Sequence, residues 1–213
     1  SDEFDNNGFS LCCGYGYEPM TLVTEDNYTE LGLTSDYIGY YAIGNAGQLM
    51  YFSNGVKNEN STFYGMNVVL VDDIDFNPGY TFNSDGTVLY ENSPVTSGWR
   101  EWVPIGTFHS SYNGEFNGNY HTISGLYTND ENMDYIGLFG AISYCEIYNV
   151  GVKNSYFNGD QYVGGIVGHA SFKSSFENGK VKAIRQFTDK ITNDIYTIDE
   201  YISIIDKFQK ILE

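Results

Sequence analysis

No apolar run in the chain reaches the ~18 residues that a membrane-spanning helix needs. Basic residues are scarce, with 10 Lys+Arg against 28 Asp+Glu and a net charge of −18. Such a chain is repelled by phosphate backbones and anionic headgroups, so nucleic acid and membrane insertion are not expected. Cysteine is scarce too. Cys12 and Cys13 are adjacent and Cys145 stands far away. Neighbouring cysteines rarely bridge without strain, and three cannot form a complete set. They read either as unpaired thiols or as one bridge from Cys145 to the N-terminal pair. No CxxC or Cys/His spacing marks zinc, and no HExxH, GxSxG, GK[ST] or DxDxDG phrase marks a metalloprotease, a hydrolase, a phosphate cradle or a calcium loop. The opening SDEFDNNGFSL lacks a basic stretch followed by an apolar one, which reads as no signal peptide or a removed one.

The 213 residues suffice for one domain with a core, or for one domain plus an appendage. Apolar residues at 41% and charged residues at 18% are too apolar for a disordered chain and too polar for a membrane protein. The 20 tyrosines are the compositional outlier. Each has a flat apolar face and a polar tip, suited to half-buried sheet positions and to stacking against sugar rings or protein.

Residues 1–37 form an irregular lead-in. In 38–57, Asn45 is an N-cap, and Leu49, Phe52 and Val56 fall on one helical face, predicting a short helix ending near Asn58. MNVVLVDDIDF (66–76) reads as a buried strand. The Gly/Asn/Ser-rich stretch 77–98, with Pro78 and Pro94, reads as a long surface loop.

From Trp99 to Val181 the sequence repeats itself. TISGLYT (122–128), EIYNVGV (146–152) and SFENGKV (175–181) can be superposed, with Ile123, Ile147 and Phe176 equivalent. GLFG (137–140) and GGIVG (164–168) form a second equivalent pair. Units this small cannot bury an apolar face alone, and stacking them gives each strand two neighbours. The expected fold is mainly β, a parallel β-solenoid resembling a right-handed β-helix, with glycines at its corners or where coils approach closely. A β-sandwich is the competing architecture. The solenoid is assigned to 38–182. The tail 183–213 carries two helical patterns, read equally as a cap on the open end or as the start of a following domain.

Three groups of residues carry candidate chemistry. Tyr80, Phe82 and Tyr90, with Trp99 at the edge of the 77–98 loop, could form an aromatic platform for sugar or protein, whereas Trp102 reads as core. Asp73 and Asp75 share one face of their strand, with Ile74 on the other. They read either as candidate calcium ligands or as carboxylates that solvate a strand end. His109, His121 and His169 read as structural, and no cofactor beyond calcium is expected.

WVPIGT (102–107), YNGEFNGNYHTISGLY (112–127) and YIGLFGAI (135–142) resemble the phrases W-x-P-I-G, F-x-G-x-F-x-G-x-x-H-x-I-x-x-L and G-L-F-G of the GLUG-motif repeats of bacterial surface proteins. Tyr112 stands where that family often has Phe, and Asn117 where it often has Asp. QLMYFSNGVKN and VVLVDDIDF are similar to the helix and strand that commonly precede these phrases, so the resemblance spans about residues 40–181. It implies a non-enzymatic, adhesin-like module, extracellular or attached to a cell surface, binding a host or cell-surface glycan or protein. It carries no catalytic residues over. TIDEYISIIDKFQKIL, within 197–213, resembles the opening helix of FRG-type domains but stops before the Phe-Arg-Gly phrase. Two other readings stay open: a carbohydrate-active enzyme on a β-helix, and the sensor region of a larger intracellular effector.

Overall fold

A computed structural model describes residues 3–11, 16–58, 63 and 65–171. Cys12, Cys13, the phrase 175–181 and the tail 183–213, with its helical patterns and its FRG-like stretch, lie outside the described residues.

The chain forms a parallel β-solenoid of about four coils. The first coil holds β1 (Thr21–Leu22), β2 (Tyr41–Ile43) and α1 (Ala46–Lys57), the one α-helix among the described residues. The second holds β3 (Val68–Leu70) and β4 (Ile74–Asp75), then leaves the solenoid through β5 (Tyr80–Phe82), β6 (Val88–Tyr90) and β7 (Ser93–Val95). The third holds β8 (Glu115–Asn117), β9 (Thr122–Ser124), β10 (Tyr127–Asn129) and β11 (Phe139–Ser143). The fourth holds β12 (Glu146–Tyr148), β13 (Gly151–Lys153), β14 (Tyr156–Asn158) and β15 (Val167–Ser171).

Four walls result. One runs β1-β2-β3-β8-β12, parallel except for the antiparallel β1. The others stack β4 on β9 on β13, β10 on β14, and β11 on β15. Parallel bridges from Ile105 to Phe139 and from Tyr112 to Ile142 extend the β11 wall into the second coil. The inward column includes Val68, Phe116 and Ile147 on one wall and Ile74 and Ile123 on the next, all buried.

Helix α1 begins where expected. Asn45 Oδ1 accepts the Gln48 N–H at 2.9 Å, and Leu49, Phe52 and Val56 are buried. Phe52 packs edge-on to Tyr112 (5.3 Å) and stacks on Phe116 (6.4 Å), so the helix covers the N-terminal end of the apolar column. Burying one such ring contributes about 1.5–3 kcal/mol. The lead-in is packed rather than trailing. Val23 and Leu33 form a small second core with Ala42 and Val69 on the outside of the β2–β3 wall.

Three expectations change. The strand expected over 66–76 is two strands, because the chain turns a corner at Val71–Asp73 between β3 and β4. The 77–98 loop is a three-stranded antiparallel sheet, β5-β6-β7. Its β6–β7 turn places Glu91 and Asn92 both at positive φ (49° and 67°), the geometry of a tight two-residue hairpin, and Pro94 sits on the edge strand, where no ladder N–H is missed. The repeat register also differs. Ile123 stacks on Val152, 29 residues on, and Ile147 stacks on Phe116, 31 residues back. The TIS of TISGLYT and the EIY of EIYNVGV therefore lie on different walls, and it is the closing Val152 of the second phrase that stacks on the first.

The glycine phrases are equivalent, as expected, since Phe139 pairs with Val167. Their glycines serve close approach more than left-handed turns. A Cβ on Gly140 would stand 2.5 Å from Gly106 O, and one on Gly168 would stand 2.9 Å from Gly140 O. The left-handed corners just before them are held by Tyr135 (φ 63°) and Tyr162 (φ 57°).

Candidate functional site

The excursion of the second coil carries the aromatic residues singled out in the sequence, and two asparagines, the buried Asn77 and the half-buried Asn154, fix it to the solenoid. Asn77 Nδ2 donates to Arg100 O and Gly125 O, both at 2.8 Å, and its Oδ1 accepts the Arg100 N–H at 2.7 Å. One side chain thus pinches both ends of the excursion together. Asn154, in the fourth coil, donates from Nδ2 to Tyr80 O at 3.0 Å and accepts the Phe82 N–H at 3.3 Å.

Antiparallel pairing sets Tyr80 opposite Tyr90, with ring centroids 4.8 Å apart. Trp99 packs edge-on against Tyr80 (6.3 Å), Phe82 (6.4 Å) and Tyr127 (5.1 Å). Phe82 and Tyr127 are buried beneath them, and Tyr127 stacks on Tyr156 of the next coil (5.4 Å, 21°). Tyr80, Tyr90 and Trp99 therefore belong to one aromatic cluster. Tyr90 is its exposed member at 41%, and Tyr80 and Trp99 are half-buried. Tyr127, Tyr156, Asn77 and Asn154 were not singled out from the sequence. The signal that could have found the two tyrosines is their 29-residue offset, the coil length of that wall.

Asp73 and Asp75 flank the buried Ile74, as the alternation required, and both are exposed. Their carboxylates are engaged separately. Asp73 Oδ1 accepts the Thr122 N–H at 2.8 Å and lies 3.4 Å from His121 Nδ1, tying the second coil to the third. The Thr122 bond is the main reason that the Asp73 carboxyl titrates below the usual carboxylate range. Asp75 Oδ1 accepts the Asn77 N–H at 3.2 Å, at the root of the excursion. Among the described residues no three His, Cys, Asp or Glu side chains group as metal ligands.

Elsewhere, Glu115 of the third coil accepts hydrogen bonds from the hydroxyl of Tyr40, just before β2 (2.7 Å), and from that of Tyr148 in the fourth coil, so one carboxylate ties three coils together. Burial, and then the bond to Glu115, hold both phenols above the ordinary tyrosine range. Trp102 is core, 2% exposed, and its indole N–H donates to Gly137 O at 2.9 Å. Cys145 is buried with a free thiol, and burial raises its pKa. Among the described residues no helix is long and apolar enough to cross a membrane.

No known family model, curated protein or solved structure matches this chain.

Proposed function

We propose that this protein is a non-enzymatic, adhesin-like interaction module of the GLUG-repeat kind, secreted or held at a bacterial surface, that binds a host or cell-surface glycan or protein. The observation that supports this reading is the Tyr80–Tyr90–Trp99 cluster. A packed excursion carries it off the regular solenoid wall, with Tyr90 41% exposed. Rigid aromatic rings lose little conformational entropy on binding, and each offers an apolar face to the C–H groups of a sugar or to a side chain. Single contacts of this kind are weak, so useful affinity comes from several modules engaging one surface together. The net charge of −18 directs the module away from nucleic acid and anionic lipid.

The test is binding of the purified protein to an array of glycans, mucins and matrix proteins, with and without EDTA. A saturable hit that Tyr90→Ala weakens about tenfold, a ~1.4 kcal/mol loss, supports the reading. Trp99→Ala should weaken it further, because it also loosens the packing on Tyr127. Loss of the hit in EDTA alone would bring Asp73 and Asp75 in as calcium ligands. A blank array from a folded sample overturns the reading.

A further inference from the structure

A second aromatic feature stands at the corner leading into the β11 wall. Tyr135 and Tyr162 occupy equivalent left-handed positions in successive coils, and their rings stack 4.9 Å apart at 4°. Phe108 of the second coil adds a third ring, 5.7 Å from Tyr135 at 26°. His169 lies edge-on to Tyr135 (5.5 Å) and Tyr162 (5.1 Å). Rings stacked this way cover one another, so Tyr135 has neither face free. Open ring surface concentrates at the ends of the ladder. Phe108 is the end ring of the second coil and is 58% exposed; besides its stack on Tyr135 it meets His109 (5.3 Å) and His169 (6.4 Å) edge-on.

Next to this ring the structure has a small hollow of about 40 Å³, bounded by Tyr135, which stacks on Phe108, and by Thr107, which precedes it. Val103, Pro104 and Met133 give it apolar walls. Lys57 and Asp134 add one group of each sign. Lys57 makes no ion pair among the described residues. Asp134 uses Oδ1 to accept the Gln161 N–H at 3.0 Å, and its second oxygen accepts no hydrogen bond among the described residues.

We propose that this corner is a subsite for one neutral pyranose ring, stacked on Phe108, with an apolar exocyclic group such as an acetamido methyl in the hollow. A pyranose has an apolar C–H face and a polar rim. The corner offers the matching set: an open aromatic face, apolar walls, a donor in Lys57 and an acceptor in Asp134. At about 40 Å³, far below the ~300 Å³ at which drug-sized pockets begin, the hollow takes a methyl-sized group and leaves the ring itself outside it on Phe108. The net charge of −18 disfavours uronates and sialic acids, and the opposed charges of Lys57 and Asp134 leave the subsite near neutral. The proposal rests on the interaction-module reading and adds to it a second contact, remote in sequence from Tyr90.

The probe is a β-linked N-acetylhexosamine trisaccharide titrated into the whole protein, followed by NMR of the aromatic resonances. Matched glucose and glucuronate oligosaccharides serve as comparisons. The expected result is saturable binding with a Kd of about 1 mM, weaker for the glucose oligomer and absent for the glucuronate. Phe108→Ala removes an exposed ring and should cost at least about tenfold in Kd while leaving the melting curve unchanged. Asp134→Asn keeps the oxygen that Gln161 uses and should cost about threefold. Tyr90→Ala should leave this titration unaltered. No binding, binding indifferent to Phe108→Ala, or equal binding of the glucuronate overturns the proposal. Failure of this subsite alone leaves an array hit that depends on Tyr90, whereas failure of the wider reading leaves the array blank.

Discussion

Replacing Gly140 with alanine tests why the glycine phrase recurs. A Cβ there would lie 2.5 Å from Gly106 O, 2.6 Å from Tyr135 O and 3.1 Å from the Pro104 Cβ. The first two are about 1 Å short of a comfortable ~3.5 Å contact. Both neighbours are backbone, so no flexible side chain can swing away. Relief requires the second and third coils to part where Gly140 N donates to Ile105 O (2.8 Å) and Ile105 N donates to Leu138 O (3.0 Å). Overpacking costs about 1–3 kcal/mol. Weakening two buried backbone bonds adds up to about 1 kcal/mol each. The expected loss is about 3 kcal/mol, or roughly 6–12 °C in Tm for a chain of this size. The control is Gly165→Ala, where a Cβ meets nothing within 4 Å and φ is not left-handed. That change should stay within about 0.5 kcal/mol of the parent. Urea melts followed by circular dichroism measure both. Equal midpoints for the two variants would refute the close-approach argument and return these glycines to a turn-forming role.

Two further outcomes follow from the geometry. Asn77→Ala removes three hydrogen bonds that close the root of the excursion, so limited proteolysis within 83–92 should accelerate at least about fivefold while the solenoid's main melting transition moves little. Unchanged cleavage would mean that the aromatic packing alone holds the excursion. The second outcome concerns alkaline pH. Tyr40 and Tyr148 titrate above the ordinary tyrosine pKa when folded, so their contribution is fully present below pH ~10 and declines above it, where the unfolded chain ionises first. Tm should therefore fall above pH ~10, and Tyr148→Phe should flatten that fall. Parallel pH profiles for parent and variant would argue against the Glu115 hydrogen bonds as its source.

Periodicity and capping carry information that survives without coordinates. Asn45 and the spacing of Leu49, Phe52 and Val56 were enough to place α1, because a 3.6-residue period and an N-cap are local properties. The excursion escaped because its pairing is non-local in pattern. β6 alternates weakly, and β7 contains Pro94, which argues for a loop until the partner strand supplies the ladder. The coil register escaped for a different reason. Three of the four walls are built of strands of two or three residues, each ending at a polar or left-handed corner, so two walls of neighbouring coils resemble each other as much as two coils do. Ile123 could have stacked on Ile147 by sequence likeness. Backbone hydrogen bonding puts it on Val152.

The sequence by itself pointed to small repeating β units, to a helix capped by Asn45, and to a chain rich in tyrosine and carboxylate. Those follow from composition and from short-range period, which every folded arrangement of the chain must satisfy. Only the tertiary structure decided which aromatic rings meet. Tyr80 and Tyr90 approach through a hairpin, Trp99 reaches Tyr127 across the root of the excursion, and Phe108, Tyr135 and Tyr162 align along one corner. Each pairing depends on coil length and corner geometry summed over tens of residues, and a one-residue change in either would turn a different side chain outward.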